Sequence, residues 1–174
     1  MDFWMIQAIG FVAFSVSSCS YQFKDQKTMF GLRIFSDSLW SLHYFLLAAH
    51  APAFTIMVAV LRAGLSIFMF PQHRLLIITS SAIIVLFICY FFSNGVWTSY
   101  LPLLGFTAFG FALYFYENYT ISRILMAVGY FIWLNIGILM SSYAEIISSS
   151  IGCASIALGF YRHKMLKKTP QPHG

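Results

Sequence analysis

Charged side chains are scarce, making up 9% of 174 residues against 60% hydrophobic ones. A soluble domain of this size carries about 25%, so this chain cannot coat a surface facing water, and lipid must be the solvent for most of it. Acidic groups are rarest, five Asp and Glu against ten Lys and Arg. Cysteine is nearly missing as well. Cys19, Cys89 and Cys153 each lie inside an apolar run. An odd number without a CxxC pair argues against a disulfide frame or a zinc site, and they read as buried, inert thiols. There is no HExxH, GxSxG, catalytic carboxylate pair or phosphate loop. Nothing therefore points to an enzyme, a cofactor or a metal. No basic stretch precedes the first apolar segment, which reads as a retained helix and not a cleaved signal peptide.

What the chain does contain is apolar runs, and its mean hydropathy is +0.79. They cover Phe3–Gln22, Met29–Ala48, Ala53–Phe70, Leu75–Phe92, Thr98–Tyr116, Ile121–Met140 and Tyr143–Tyr161. Each is close to the 17–25 residues or so that a spanning helix needs, and seven of them use nearly the whole length. The breaks carry turn residues: Lys24 to Lys27, Pro52, Pro71 to Arg74, Asn94-Gly95 and Glu117-Asn118. The expected fold is an all-α membrane protein of about seven transmembrane helices, a single membrane domain over residues 1–174.

Charge placement orients it. Lys24, Lys27 and Arg33 fall at the first break, Arg74 at the third, Arg123 at the fifth, and Arg162, Lys164, Lys167 and Lys168 after the last run. The second, fourth and sixth breaks hold no Lys or Arg. Positive loops stay in the cytoplasm, which predicts an outside amino terminus and a cytoplasmic carboxyl terminus. Trp4 and Trp97, at the starts of the first and fifth runs, suit the outer interface. The net charge of +5 is scattered between apolar runs, so nucleic acid is not an expected partner. The basic tail at 163–174 reads as a topology anchor attracted to anionic lipid. Asn118-Tyr119-Thr120 matches a glycosylation acceptor but falls on the predicted cytoplasmic side.

A repeat divides the chain. Gly10-Phe11-Val12-Ala13-Phe14 in the first run is echoed by Gly105-Phe106-Thr107-Ala108-Phe109 in the fifth. Arg33-Ile34 and Arg123-Ile124 then open the second and sixth, and Ser66-Ile67 matches Ser155-Ile156 in the third and seventh. This predicts two three-helix repeats, residues 3–70 and 98–162, with 75–92 as a linker helix. An odd linker makes both repeats run the same way, a 3+1+3 parallel-repeat plan with a central cavity. Glycines such as Gly10, Gly64, Gly105 and Gly137 suit close helix packing.

The Gly10–Phe14 motif, the run His43-Tyr44-Phe45-Leu46-Leu47, Arg62 and the ending Phe160-Tyr161-Arg162 resemble the YgjV family of bacterial inner membrane proteins. The resemblance covers nearly the whole chain and implies a multi-pass protein of the bacterial inner membrane, its amino terminus periplasmic. At fold level the plan is similar to the SWEET and PQ-loop transporters. Those carry a proline-glutamine pair in the first helix of each repeat, whereas Pro71-Gln72 ends the third run here and the first has no proline. Sugar transport is therefore not implied, and fold likeness supplies no substrate.

Polar groups inside a bilayer cost roughly 2.5–3.5 kcal/mol when charged, so they face an interior. Asp37 and Arg62 each lie about nine residues from a membrane face on adjacent antiparallel helices, which at roughly 1.5 Å per residue is near the midplane. They read either as a site, with Arg62 on an anionic group and Asp37 balancing charge, or as a bridge locking two helices. His43, with Trp40 one turn earlier, reads as a titratable gate or as a core histidine bonded to a neighbouring helix. Trp133 and Asn135 offer an aromatic and a polar group at similar depth in the second repeat, with Asn135 also suited to helix packing. Glu145 and Gln7, close to the interface, read as solvated. Substrate-binding candidates are thus Asp37, Trp40, His43, Arg62, Trp133 and Asn135. The expected function is a carrier for a small polar or anionic solute, the alternative a non-transporting receptor or assembly partner. Lipids, such a solute and a homo-oligomer are the partners this reading allows.

Overall fold

The computed structural model describes residues 2–20, 22–23, 26–68, 73–93 and 95–168, without the side chains of 26, 27, 30, 66–68 and 162–168. Pro71-Gln72, Lys24 and Asn94 lie outside the described residues, as do the Ser66-Ile67 side chains of the repeat and the basic side chains after Tyr161. Among the described residues seven α-helices form: α1 (Phe3–Ser20), α2 (Gln26–Leu46), α3 (His50–Phe68), α4 (Arg74–Phe91), α5 (Leu101–Tyr114), α6 (Tyr119–Leu139) and α7 (Tyr143–Lys168). No strand occurs among the described residues. Four helices, α1, α4, α6 and the Tyr143–Tyr161 part of α7, are long and apolar enough to cross a membrane, and His50–Leu65 is a shorter apolar stretch. α2 is more polar, carrying Arg33, Asp37 and His43, and α5 has only 14 residues.

Most helix ends fall within three residues of the sequence expectation, with α2 starting at Gln26 and α3 at His50; two ends merit description. The fifth run is predicted to start at Thr98, but Trp97–Tyr100 forms a 3-10 turn and α5 starts at Leu101. Pro102 fits there because the first helical turn has amide groups without helical acceptors, so a missing N–H costs nothing. At the other end α7 continues past Tyr161 to Lys168. Helix α6 is capped by Asn118, whose Oδ1 accepts the Ile121 N–H at 3.1 Å. Asn118→Ala should cost about 1 kcal/mol, readable as a lower midpoint in detergent unfolding.

The turns are short, so successive helices run antiparallel. Contacts between α1 and α2 climb in opposite directions along the two helices: Ile6 with His43, Ala13 with Ser36, Ser17 with Arg33. We call the end holding Phe3, Leu46 and Tyr143 the upper end. Helix α1 packs on α2 and α7, α2 on α3, α3 on α5, α5 on α6 and α6 on α7. Six helices thus close a ring, and α4 lies outside it against α3 and α5. The upper turns α2–α3 and α6–α7 share one geometry. Ala48 (φ 57°) and Ser141 (φ 53°) take the left-handed conformation. The next residues, Ala49 and Ser142, donate back to Tyr44 O and Gly137 O. This is the Schellman pattern, which satisfies carbonyls that the helix end leaves open. Each turn follows a buried tryptophan by eight residues, Trp40 and Trp133.

The packing inverts that of a soluble protein. The interior is rich in small residues, Ala13, Ala49, Ala53 and Ala144 among them, and buried serines, while Leu61, Leu76, Phe87, Phe91, Phe131 and Leu158 point outward. In lipid, apolar burial does not drive helices together, so close approach and interhelical hydrogen bonds must. Ser36 Oγ donates to Ala13 O at 2.8 Å, Ser41 Oγ to Ala53 O at 2.9 Å, and Ser122 Oγ to Ala112 O at 2.8 Å. Exposed rings at the upper end, including Trp4 stacked on Tyr143 and Trp97 beyond α4, form the aromatic girdle expected at a membrane interface.

Candidate functional site

His43 is on the last turn of α2, fully buried where α1, α2 and α7 meet. Gly10 makes the room: a Cβ there would stand 2.7 Å from Ala144 Cβ and 2.9 Å from His43 Cε1. Both ring nitrogens are used. Nδ1 lies 2.8 Å from the Ile6 carbonyl oxygen, and Nε2 lies 2.7 Å from Ser142 Oγ. A carbonyl only accepts, so Nδ1 carries the hydrogen and Nε2 accepts from the Ser142 hydroxyl. Ser142 Oγ in turn accepts the Glu145 N–H at 3.3 Å. Of its two sequence readings, His43 takes the satisfied core histidine, tying three helices together.

Around it lies a polar layer that the sequence reading places in water. Gln7 is buried, its Nε2 donating to Ser141 O and its Oε1 accepting from Tyr143 N, both at 3.0 Å. It clamps α1 to the α6–α7 turn. Glu145 is only 8% exposed. It lies on the inward side of the first turn of α7, against Gly137, where an added Cβ would come within 3.1 Å of the glutamate side chain. The Ser149 hydroxyl donates to Glu145 Oε1. The expectation of solvated Gln7 and Glu145 is therefore corrected: position near the interface does not fix exposure, and the face turned to the ring does.

Aromatic rings fill the centre beneath this layer. Tyr44 of α2 meets Trp133 of α6 with centroids 5.8 Å apart, Trp40 lies 6.3 Å from Tyr44, and Trp40 meets His43 edge-on at 5.6 Å. Ala13, Ala49, Ala53, Ile136 and Ala144 complete the cluster. Above it, at the upper end, is a depression of about 140 Å³, bounded by His50 and Pro52 of α3, Thr98, Ser99 and Pro102 near α5, and Ile136 of α6. Small-molecule sites are typically about 300–1,000 Å³, so this space is smaller than such a site, and the aromatic cluster packs directly beneath it through Ala49 and Ile136.

Three of the six candidates, Trp40, His43 and Trp133, thus come together. The others stand apart. Asp37 is paired with Arg33 on its own helix, Nε to Oδ1 3.4 Å, and Arg33 also reaches Ser17 Oγ at 3.1 Å. The i,i+4 spacing offered that partner one turn away, nearer than another helix. Arg62 sets its guanidinium carbon 4.1 Å over the Phe106 ring of α5. Asp37 and Arg62 thus stay within Coulombic reach of each other, while Asp37 takes a direct partner on its own helix and Arg62 lies over an aromatic face. Asn135 is half-exposed and its amide donates to Phe131 O of its own helix at 2.7 Å. Tyr44, Ser142 and Glu145 are missing from the candidate set. Ser141-Ser142 is a polar pair between apolar runs, a signal that the sequence does carry, whereas Tyr44 adjoins His43 among aromatics and carries none of its own.

Comparison with the curated proteins and with the solved structures gives no match. One family model does match, that of the Imp-YgjV bacterial inner membrane proteins, over residues 4–167. The match runs from the first turn of α1 to the end of α7, and so takes in every helix that builds the ring and its buried polar layer. This chain belongs to the YgjV family of bacterial inner membrane proteins.

Proposed function

We propose that the protein is a carrier for a small polar or anionic solute, alternating access between two three-helix halves, α1–α3 and α5–α7, joined by α4. The observation that carries this reading is the upper depression: residues of both halves bound it, and the aromatic cluster closes it below. The helix backbones of the two halves approach each other most at α1–α7 and α3–α5, a pattern that two equivalent halves would generate. The matching turns at Ala48 and Ser141, each eight residues after a buried tryptophan, support the same equivalence. All seven helices then span the bilayer. The upper end, whose turns lack Lys and Arg, faces the periplasm. Trp40 and Trp133, with Tyr44 between them, form the closed gate, and His43 pins the helix that carries it. Asp37 and Arg62, deeper in the first half, supply charge to the solute path once it opens.

The test is thermal unfolding of the purified protein against a panel of metabolites, followed by uptake of any hit into proteoliposomes. A solute at about 100 times its Kd stabilises by about 2.7 kcal/mol, roughly 5–10 °C in midpoint for a chain of this size. That shift should disappear in Arg62→Ala. A shift that survives this substitution removes Arg62 from binding. The packed Tyr44–Trp133 centre favours a second reading, a static membrane partner without a path. Absence of both stabilisation and uptake across the panel would favour it.

A further inference from the structure

Glu145 and Tyr44 form a pair that neither the fold nor the solute reading accounts for. Tyr44 has no exposed surface, and its hydroxyl finds no hydrogen-bond partner of good geometry among the described residues. The Glu145 carboxyl and the Ser142 hydroxyl are the side-chain groups that act on it. A buried hydroxyl left without a bond costs about 1–3 kcal/mol, a cost the fold could avoid with phenylalanine. Glu145 has a donor in Ser149 Oγ on Oε1, and the Tyr44 hydroxyl is the other side-chain neighbour within hydrogen-bonding influence of its carboxyl.

We propose that Glu145 is a proton-exchange site, with the Tyr44 hydroxyl as the switching partner that satisfies both forms of the carboxyl. When ionised, Glu145 accepts from Tyr44 Oη and Ser149 Oγ. When it takes one proton from water, its O–H donates to Tyr44 Oη, whose own hydrogen turns to the remaining lone pair of Ser142 Oγ. Ser142 has that lone pair free because it accepts from Glu145 N and donates to His43 Nε2. One proton is bound or released, and nothing else changes hands. The titratable and charged groups facing this site all come from α2: Tyr44 itself, His43 through Ser142, and Arg33 at longer Coulombic range. Helix α1 presents Gln7 and Gly10, α6 presents Gly137, and α7 presents Ser149, none of which titrates. The site lies on the α1–α7 junction between the proposed halves, so it deepens the carrier reading by naming a coupling ion.

The experiment is infrared difference spectroscopy between acid and alkaline buffer, on protein in nanodiscs, in the carboxylic C=O stretch region. Wild type should show a buried carboxyl band that is absent in Glu145→Gln, retained in Asp37→Asn, and moved to higher frequency in Tyr44→Phe, where the carboxyl loses its acceptor. A band unchanged in Glu145→Gln, or removed by Asp37→Asn, overturns the proposal. So does a band erased by exchanging choline for sodium at fixed pH, which would make the ligand a metal cation. If Glu145→Gln fails to elute as folded protein, the Tyr44→Phe shift alone decides. No solute enters the measurement. A proton band without solute uptake therefore leaves this inference standing and removes only the carrier, and uptake without the band does the reverse.

Discussion

Gly10→Ala should be among the most damaging single methyl groups that can be added to this protein. The new Cβ would stand 2.7 Å from Ala144 Cβ and 2.9 Å from the His43 ring. Neither neighbour can give way freely. Ala144 is one bond from the α7 backbone, and His43 is held through both nitrogens, to Ile6 O and Ser142 Oγ. Overpacking typically costs about 1–3 kcal/mol, and pushing the histidine off a buried partner adds about 1–3 kcal/mol more. The expected outcome is a loss of at least about 2 kcal/mol, measured as a lower midpoint in denaturant titration in detergent. Gly31→Ala is the control. Nothing lies within 4 Å of the Cβ it would add, so it should be neutral or gain about 0.5–1 kcal/mol from helix propensity. Equal effects from the two substitutions would mean that the α1–α2–α7 junction is not packed as described.

Trp133→Ala should cost still more if the centre of the ring is closed. Removal of a buried tryptophan typically costs about 3–5 kcal/mol, because the surroundings collapse only in part around the hole. Here the indole is packed on Tyr44 from the opposite half, and the Gly105 backbone leaves it just enough room. The comparison is Trp97→Ala at the upper rim, where the side chain is 74% exposed. It should stay within about 0.5 kcal/mol in detergent, as surface substitutions do. Similar losses at the two positions would argue against a packed axis, and with it against a gate.

Helices were legible in the sequence because apolar runs and turn residues are local features. Even so, the fifth run hid a change of helix type at Trp97–Tyr100. Partners were less legible. Depth alone matches Asp37 with Arg62, and the two do stay within Coulombic reach, yet depth says nothing of azimuth, and Arg33 one turn away makes the ion pair with the carboxylate. Glu145 shows the same lesson in reverse. Its distance from the interface suggested water, while its direction on α7 put it against Gly137 and Tyr44. Tyr44 was passed over because a tyrosine among aromatics reads as packing. Only its fully buried hydroxyl distinguishes it, and burial depends on helices far away in sequence.

The bonds of His43 also set an order on biogenesis. Its Nδ1 partner, Ile6, is made 37 residues earlier, while its Nε2 partner, Ser142, is made 99 residues later. Gln7 waits longer still, since Ser141 and Tyr143 lie 134 and 136 residues downstream. Until the seventh helix leaves the ribosome, the first two hold an imidazole and an amide in the membrane with open polar atoms, a state hydrocarbon penalises heavily. The nascent chain therefore carries a built-in marker of incompleteness. Arrival of α7 both closes the ring and quenches that marker.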